Sequence, residues 1–348
     1  MTPETDEDRS SPPTIYDVAK AAGVAPSTVS RALSRPGRVS AATVEKVREK
    51  AEEIGYWRVR HTPVLQEHTS RLVAMLVADS GNPVFTAVAR GAAEAAEEAG
   101  YTLITVDTAE SDQRERTSAE RLAPAVEGLI LTSPRLSNSG IRSIAKHRPV
   151  VILNREVAGI PSVLTDGRTG AIEAAKYLAG LGHRSILYVS GPEPSWANGV
   201  RWRGLEEAGS ALGIRIRRTG PHEPTVLGGT RADRDWLENP TSAVVAFNDM
   251  VAIGLMRSLS AHGIDVPSEV SVVGFDNSVP GALTTPALTS IASPLREQGA
   301  LGFNMLRQLL AKEPVRDKPV LLPLNTVVRD STGPVNPNFS AWARSLRG

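Results

Sequence analysis

The sequence predicts a small all-helical unit at the N-terminus, followed by an α/β region of two doubly wound lobes. Between Thr14 and Gly55, apolar residues recur at helical spacing in three short runs. From Arg71 onward, β-branched runs of strand length alternate with longer helical patterns, which predicts parallel sheets with helices on both faces. The alternation restarts near Asp166 and gives a second set of comparable length, so we expect two lobes rather than one large sheet.

Composition narrows the possible functions. The 348 residues carry a net charge of +1 and are enough for two or three domains. There is no cysteine, which excludes disulfide frameworks, thiolate metal sites and a cysteine nucleophile, and the six histidines show no metal-ligand spacing. The first thirteen residues are acidic without an apolar run, and no stretch approaches the ~18 apolar residues of a membrane span. We therefore expect a disordered acidic tail over residues 1–13 and a soluble, cytoplasmic protein with no membrane partner, metal or cofactor.

The helical unit begins with a well-marked first helix. Thr14 and Asp17 have the spacing of a capping box, which marks a helix start. Four apolar side chains then share one face of that helix: Ile15, Val18, Ala19 and Ala22. Gly23 supplies a left-handed turn, and Pro26 suits the first position of a second helix because its missing N–H is not needed there.

The second helix has two contrasting faces, and a third helix completes the unit. One face of the second helix is apolar: Val29, Ala32 and Leu33. The other face is short, polar and singly basic: Ser27, Ser30 and Arg31. The third helix is capped by Ser40, ends at Gly55 and adds its own apolar stripe. That stripe consists of Val44, Val47, Ala51 and Ile54.

A short helix that presents hydroxyls and an arginine after a tight turn has the geometry that enters a DNA major groove. Arg31 suits the O6 and N7 acceptors of a guanine, and Ser27 and Ser30 suit bases or phosphates. Residues 14–60 hold nine basic and five acidic residues, so the local charge of +4 favours a polyanion. A three-helix protein-interaction module, with the same side chains as a solvated face, is the alternative that charge alone leaves open.

Polar residues end several strands of the two lobes. The strand runs lie at 71–79, 101–107, 126–132, 149–154, 185–191, 242–248 and 270–276, and the helical patterns include 84–100, 196–212 and 249–262. The polar residues at the strand ends are Asp79, Asp107, Asn154, Asn248 and Asp276. Ligands of doubly wound sheets bind beyond the carboxyl ends of the strands, so together these side chains predict a small-molecule site. For any single one of them, a turn or helix-cap role is the alternative.

The segment TIYDVAKAAGVAPSTVSRAL, residues 14–33, resembles the helix-turn-helix signature of the LacI/GalR (lactose-repressor) family of bacterial transcription regulators. The resemblance continues through SGNPVF, LGHRSILYVSGP, Arg201-Trp202-Arg203-Gly204, FNDMVAIGLM and VPSEVSVVGFDN, and it covers about residues 14–330. It implies a DNA-binding domain over 14–56, a hinge over 57–70 and a two-lobed core similar to periplasmic binding proteins over 71–330. It also implies a homodimer on a near-palindromic DNA operator. Residues 331–348 show no heptad repeat and are expected to form a C-terminal tail.

By this resemblance, one set of residues contacts bases or phosphates: Thr14, Pro26, Ser27, Thr28, Ser30, Arg31 and Arg38. The sequence departs from the family pattern at Ala25, where a capping serine is common, and at Pro26, which replaces a side chain that often reads bases. The family's usual hinge helix wedges a leucine into the minor groove. Pro63 prevents that helix from forming unchanged, at about 3 kcal/mol for a proline inside a helix. A shorter helix that starts at Pro63 still presents Leu65.

Effector contacts map by the same resemblance to Asn82, Phe85, Arg155, Arg201, Asn248 and Asp276. Amide and carboxylate oxygens accept from hydroxyls, an arginine donates a planar fork and an aromatic ring covers a sugar face, so this set suits a sugar or a nucleoside. The sequence contains no GxSxG elbow, GxxxxGK[ST] phosphate loop or HExxH motif. It therefore favours a ligand-responsive transcriptional repressor without catalytic residues. A ligand sensor whose helical module binds a protein, and a sugar-processing enzyme, are the alternatives.

Overall fold

The structure is a computed structural model that describes residues 13–34, 39–54, 56, 70–315 and 318–345. The chain divides into an N-terminal unit, Met1–His68, and a second unit, Thr69–Gly348. The acidic tail and the linker that the sequence predicts lie outside the described residues, apart from Pro13 and Ser70.

The N-terminal unit contains three helices: α1 (Ile15–Ala22), α2 (Pro26–Ser34) and α3 (Ala41–Glu53). Gly23 follows α1 in the left-handed region with φ of 64°, so the predicted turn is confirmed. The helices pack around one cluster of buried apolar side chains: Val18, Ala19, Ala22, Val29, Ala32, Val44, Val47 and Ala51. Ile15, Leu33 and Ile54 are partly buried beside this cluster, so the predicted apolar faces are confirmed as well.

The second unit alternates strands and helices over most of its length. Its elements in chain order are β1 (Leu72–Val77), α4 (Pro83–Glu98), β2 (Thr102–Asp107), α5 (Asp112–Leu122), β3 (Gly128–Thr132), α6 (Asn138–Ala145), β4 (Val150–Leu153), β5 (Ser162–Thr165), α7 (Gly167–Gly180), β6 (Ser185–Val189), α8 (Trp196–Leu212), β7 (Arg215–Arg218), α9 (Val226–Arg231), α10 (Asp233–Glu238), β8 (Ala243–Ala246), α11 (Asp249–Ala261), β9 (Ser271–Asp276), α12 (Val279–Ala282), β10 (Thr289–Ala292), α13 (Leu295–Leu310), β11 (Val320–Leu322), β12 (Asn325–Val327) and α14 (Phe339–Ser345). Every strand run that the sequence predicts is present. The short strands β5, β7, β10, β11 and β12 were not predicted.

The strands form two six-stranded sheets, and each sheet is the centre of one lobe. The strand order is β11-β5-β4-β3-β1-β2 in lobe 1 and β12-β10-β9-β8-β6-β7 in lobe 2. Neighbouring strands run parallel, except that β12 is antiparallel to β10. The two doubly wound lobes predicted from the alternation of strands and helices are therefore confirmed.

The two lobes are not consecutive stretches of chain, although the alternation restarts only once in the sequence. The chain passes from lobe 1 to lobe 2 between β5 and α7, returns between β10 and α13, and passes to lobe 2 again between β11 and β12. On the return, β11 pairs with β5 and α13 packs against α4, so lobe 1 is completed by residues that follow most of lobe 2. The chain segments of the first and third crossings are hydrogen-bonded to each other: the Asp166 N–H donates to the Leu322 carbonyl at 2.9 Å.

Helices cover both faces of each sheet and enclose the apolar core. In lobe 1, α4 and α13 cover one face while α5 and α6 cover the other. In lobe 2, α7 and α8 cover one face while α10 and α11 cover the other. The helices α4 and α13 approach so closely that a Cβ on Gly91 would lie 2.0 Å from the Arg296 carbonyl oxygen, which requires glycine there. In the part of the chain that the structure describes, no helix is both long and apolar enough to cross a membrane.

The end of the chain packs against lobe 2. The hydroxyl of Ser331 is fully buried, donates to the Val272 carbonyl at 2.6 Å and accepts from the Thr289 N–H at 2.8 Å. Further on, α14 places the ring of Trp342 with its centroid 6.1 Å from that of Trp236 in α10. The sequence predicts a tail over residues 331–348, whereas the structure joins residues 331–345 to lobe 2 through these contacts.

Candidate DNA-binding surface and effector cleft

The outward face of α2 presents most of the residues that the sequence assigns to DNA contact. The exposed ones are Pro26, Ser27, Ser30 and Arg31, and Thr28 is half-buried. The opposite face of α2 places Val29 and Ala32 in the apolar cluster. Since packing uses one face of the helix, the polar face remains accessible to a groove. Arg38, Pro63 and Leu65 lie outside the described residues.

Short-range hydrogen bonds set the starts of α1 and α2. The Asp17 carboxylate accepts from the Thr14 hydroxyl at 2.7 Å and from the Thr14 N–H at 2.8 Å. These two bonds lower the pKa of Asp17 and keep its charge beside the N-terminus of α1, where a negative charge is favourable. The Ala25 carbonyl accepts from the Thr28 and Val29 N–H groups at 2.8 and 3.1 Å, so Ala25 occupies the cap position of α2 without a side-chain oxygen to cap it.

A cleft lies between lobe 1 and lobe 2, beyond the carboxyl ends of their strands. The lining side chains come from both lobes: Asn82, Val84, Phe85, Glu110, Ser133, Arg135, Asn154, Thr165, Ser195, Ala197, Arg201, Pro224, Phe247, Asn248, Asp276, Ser293 and Leu295. The structure thus brings together five of the residues mapped as effector contacts: Asn82, Phe85, Arg201, Asn248 and Asp276.

Arg201 on α8 and Asp276 at the end of β9 form a buried ion pair. The Arg201 Nη2 lies 3.2 Å from the Asp276 Oδ1, and the Arg201 Nη1 donates to the Phe247 carbonyl. The guanidinium also lies 4.2 Å from the ring centroid of Phe275 and 5.0 Å from that of Phe247. Burial raises the pKa of Asp276, and the positive charge of Arg201 opposes this rise. A carboxylate accepts several hydrogen bonds, so Asp276 retains capacity for a ligand hydroxyl.

Asn82 and Asn248 cap helices at the edge of the cleft. The Asn82 Oδ1 accepts from the Val84 N–H at 3.1 Å at the start of α4, and the Asn248 Oδ1 accepts from the Val251 N–H at 2.9 Å at the start of α11. The Asn248 Nδ2 also donates to the Pro224 carbonyl at 3.1 Å. A side-chain amide has two donors and two acceptor lone pairs, so both residues can cap a helix and still bind a ligand.

Arg155 does not line this cleft. Its Nη1 donates to the carbonyls of Pro134 and Leu136 at 3.0 and 2.6 Å, and its Nη2 donates to the Asn138 Oδ1 at 2.7 Å. The guanidinium therefore supports the loop between β3 and α6. Arg155 lines a smaller pocket beside the cleft.

Lobe 1 brings a second charged pair to the cleft, Arg135 and Glu110, which the sequence did not single out. The Arg135 Nε donates to the Glu110 Oε2 at 2.5 Å, and its Nη1 donates to the Ser133 carbonyl at 2.9 Å. Both residues lie three positions beyond the end of a strand, Glu110 after β2 and Arg135 after β3. A search that extends a few residues past each strand would have found them.

Two of the strand-end acids hold turns and do not line the cleft. The Asp79 Oδ1 accepts from the Gly81 N–H at 2.8 Å. The Asp107 carboxylate accepts from the Ser80 N–H at 2.9 Å and from the Ala109 N–H at 2.6 Å. Asp79 and Asp107 therefore have the turn role that the sequence leaves open as an alternative. Asn154, Asn248 and Asp276 line the cleft.

Asp249 is a buried carboxylate directly after the cleft residue Asn248. Its Oδ2 accepts from the Ser278 N–H at 2.6 Å, and its Oδ1 accepts from the Ser290 hydroxyl at 2.7 Å. Burial first, and the charge of Asp276 second, raise the pKa of Asp249 to about 7. This acid therefore changes its charge close to neutral pH.

Known proteins match both units of the chain. Residues 14–58 match the bacterial regulatory proteins of the lacI family, and residues 175–332 match a periplasmic binding protein-like domain. The HTH-type transcriptional regulator DegA of Bacillus subtilis (strain 168) is 31% identical over 338 residues, covering 93% of this chain and 99% of DegA. The chain belongs to the LacI family of bacterial regulatory proteins.

Further LacI-family proteins match most of the chain. The HTH-type transcriptional repressor CytR of Escherichia coli (strain K12) is 29% identical over 327 residues, covering 92% of this chain and 96% of CytR. The crystal structure of a LacI family transcriptional regulator from Enterococcus faecium with bound ribose has a TM-score of 0.69 and 28% identity, covering 76% of this chain and 100% of that chain. The family resemblance predicted from the sequence is thus confirmed, together with the helix-turn-helix unit and the two-lobed fold.

Proposed function

We propose that this LacI-family protein is a sequence-specific transcriptional repressor whose operator affinity is controlled by a small polar effector, a sugar or a nucleoside. The effector binds between lobe 1 and lobe 2, and the protein acts in the cytoplasm as a homodimer on a near-palindromic operator. The observation that supports this most directly is the outward face of α2, where Ser27 and Arg31 are exposed on a helix whose other face is packed.

The proposed DNA contacts form two groups, one that reads bases and one that binds phosphates. The proposed contacts are Thr14, Pro26, Ser27, Thr28, Ser30 and Arg31, and the family pattern adds Arg38 and Leu65. A guanidinium can donate two parallel hydrogen bonds to the O6 and N7 of a guanine, so Arg31 is the proposed base reader. Hydroxyl groups and backbone N–H groups at helix starts contact phosphates, which fix the position of the protein on the duplex without reading sequence.

The effector contacts are proposed at Asn82, Phe85, Arg201, Asn248 and Asp276, with Arg155 supporting a neighbouring loop. A ligand that contacts both lobes favours one arrangement of the lobes over another. Operator affinity changes only by as much as the effector distinguishes the two arrangements, commonly about 1–3 kcal/mol. The protein binds its effector without converting it, which is consistent with the regulators that it resembles.

The experiment is binding of the purified full-length protein to a labelled DNA fragment from upstream of its own gene, measured over a salt series. We expect selective binding that weakens steeply with salt, because phosphate contacts release counterions. A panel of sugars and nucleosides is then added, and we expect one compound to change the affinity and to be recovered chemically unchanged.

Three outcomes would contradict parts of this proposal. Absence of binding to any duplex would favour the protein-interaction module. Selective DNA binding that no compound alters would remove the effector role of the cleft. Conversion of the active compound during incubation would favour the sugar-processing enzyme.

A further inference from the structure

We propose that the cleft selects an electrically neutral sugar or nucleoside and discriminates against the phosphorylated form of the same compound. The inference rests on the proposed effector role of the cleft and narrows its ligand class. Two arginine–carboxylate pairs support the inference. Each lobe contributes one pair, and both pairs line the cleft.

The charges in the cleft are balanced and paired. Among the lining residues that the structure describes, the ionisable side chains are Glu110, Arg135, Arg201 and Asp276, two acids and two bases. The Arg135 Nε lies 2.5 Å from the Glu110 Oε2, and the Arg201 Nη2 lies 3.2 Å from the Asp276 Oδ1. A phosphate monoester carries a charge of roughly −1.5 to −2 at neutral pH, so it would meet a carboxylate beside each arginine.

Both arginines already donate two of their five N–H groups to partners within the protein. Arg135 uses Nε and Nη1 for Glu110 and the Ser133 carbonyl, and Arg201 uses Nη1 and Nη2 for the Phe247 carbonyl and Asp276. The strong arginine–phosphate contact is a fork of two parallel N–H donors from adjacent nitrogens. In both arginines, every adjacent pair of nitrogens includes one that already donates within the protein.

The helix starts at the cleft do not replace these donors. The N-terminus of a helix attracts anions through unpaired N–H groups. Here α4 begins with Pro83, which has no N–H, and the cap residues Asn82, Ser195 and Asn248 accept from the first turns of α4, α8 and α11. Each side-chain cap thus occupies one N–H of its first turn, which leaves fewer donors there for a phosphate.

The remaining lining suits a neutral polyol. Uncharged donors and acceptors surround the cleft at Ser133, Asn154, Thr165, Ser195 and Ser293, in addition to the asparagines that cap α4 and α11. Phe85 from lobe 1 and Phe247 from lobe 2 supply apolar surface for the face of a sugar ring. Hydroxyl groups pair with such amides and hydroxyls without introducing charge.

The experiment measures binding of matched pairs to the full-length protein by isothermal titration calorimetry. The pairs are D-ribose with D-ribose 5-phosphate, D-glucose with D-glucose 6-phosphate, and adenosine and uridine with their 5′-monophosphates. We expect at least one neutral member to bind and its phosphate ester to bind at least tenfold more weakly. A phosphate ester that binds as tightly as its neutral partner, or more tightly, would overturn the inference.

Operator binding is measured on the same samples to separate the two proposals. If no compound of any pair binds while operator binding is retained, the ligand role of the cleft is contradicted and this inference with it. If a phosphate ester binds and alters operator affinity, the effector role holds and only the neutral-ligand inference fails.

A variant at Glu110 tests whether the acid beside Arg135 causes the discrimination against phosphate esters. Glu110→Gln removes the acid that neutralises Arg135, so we expect the preference for the neutral member of the binding pair to fall by tenfold or more. Glu94→Gln is the matched control, because Glu94 faces Arg296 at 3.6 Å on the exposed surface of the same lobe. An unchanged preference in Glu110→Gln, with the variant folded as judged by its melting curve, would contradict the inference.

Discussion

The guanidinium of Arg201 and the carboxylate of Asp276 form an ion pair 3.2 Å apart inside lobe 2, with side chains only 7% and 9% exposed. Breaking such a pair leaves one buried charge without a partner, which costs about 3–5 kcal/mol. We expect Asp276→Ala to lower the free energy of unfolding by about this amount and to abolish the effector response, while operator affinity without effector is retained. Urea unfolding and operator titrations with and without effector measure both effects.

A double variant separates the ligand role of this pair from its stability role. Arg201→Met combined with Asp276→Ala removes both charges, so we expect most of the lost stability to return, as it does when buried pairs are replaced by apolar residues. The effector response stays absent if Asp276 contacts the ligand. A single Asp276→Ala variant that responds normally would remove Asp276 from the site.

Arg31 gives a prediction about base reading. We expect Arg31→Ala to weaken operator binding by about 1–3 kcal/mol and to relax base preference at one position of each half-site. Arg48→Ala is the control, because Arg48 is exposed on α3 and its removal takes away the same charge. Binding to a library of operator variants measures the preference. Equal weakening on every sequence would identify Arg31 as a phosphate contact.

Asp249 gives a prediction about pH. Its pKa rises from the usual 3.8 to about 7 in the folded protein, through burial and then through the charge of Asp276. Between those pH values the folded state binds a proton that the unfolded state has lost, so the contribution of Asp249 to the free energy of unfolding falls as pH rises from about 4 to 7. Asp249→Asn removes this contribution, and its amide can still accept from the Ser278 N–H.

We therefore expect the free energy of unfolding of Asp249→Asn to increase relative to that of the wild type as pH rises across this range. Urea unfolding at closely spaced pH values measures it, and the other titrating groups cancel in the difference. Asp265→Asn, which removes an exposed carboxylate of lobe 2, is the matched control. Parallel curves for Asp249→Asn and the wild type would show that folding does not raise the pKa of Asp249.

Ser331 gives a prediction about the end of the chain. Ser331→Ala removes the donor to the Val272 carbonyl and the acceptor of the Thr289 N–H, and both groups are buried. Leaving a buried polar group unpaired costs about 1–3 kcal/mol, so we expect a loss of this size in the free energy of unfolding. Ser340→Ala changes an exposed residue of the same segment and should be neutral. Equal stabilities of the two variants would refute the structural role of Ser331.

The sequence predicts the fold where its signals are local. The capping residues around Thr14, the left-handed Gly23 and the apolar faces of α1–α3 depend on neighbours a few positions away, and the structure has all of them. The long buried strands such as β1 and β9 are equally clear, since uninterrupted apolar runs mark strands covered on both faces.

Long-range pairing is what the sequence does not predict. The strand β11 has only three residues and joins β5, 157 positions earlier in the chain, so no local pattern indicates its place. The same holds for the site. Arg155 follows the family pattern in sequence, yet the loop beside it offers three acceptors for its guanidinium, and Arg135 occupies the cleft instead.

The three crossings between the lobes constrain how this chain can be cut and rejoined. Lobe 1 lacks α13 and β11 in any fragment that stops before Leu295, and lobe 2 lacks β12 and the Ser331 segment in any fragment that stops before Asn325. Neither lobe can therefore be exchanged between relatives as one contiguous gene segment. An exchange of one complete lobe therefore has to combine separate segments of the chain, whereas the N-terminal unit is one contiguous segment that can be exchanged as a module.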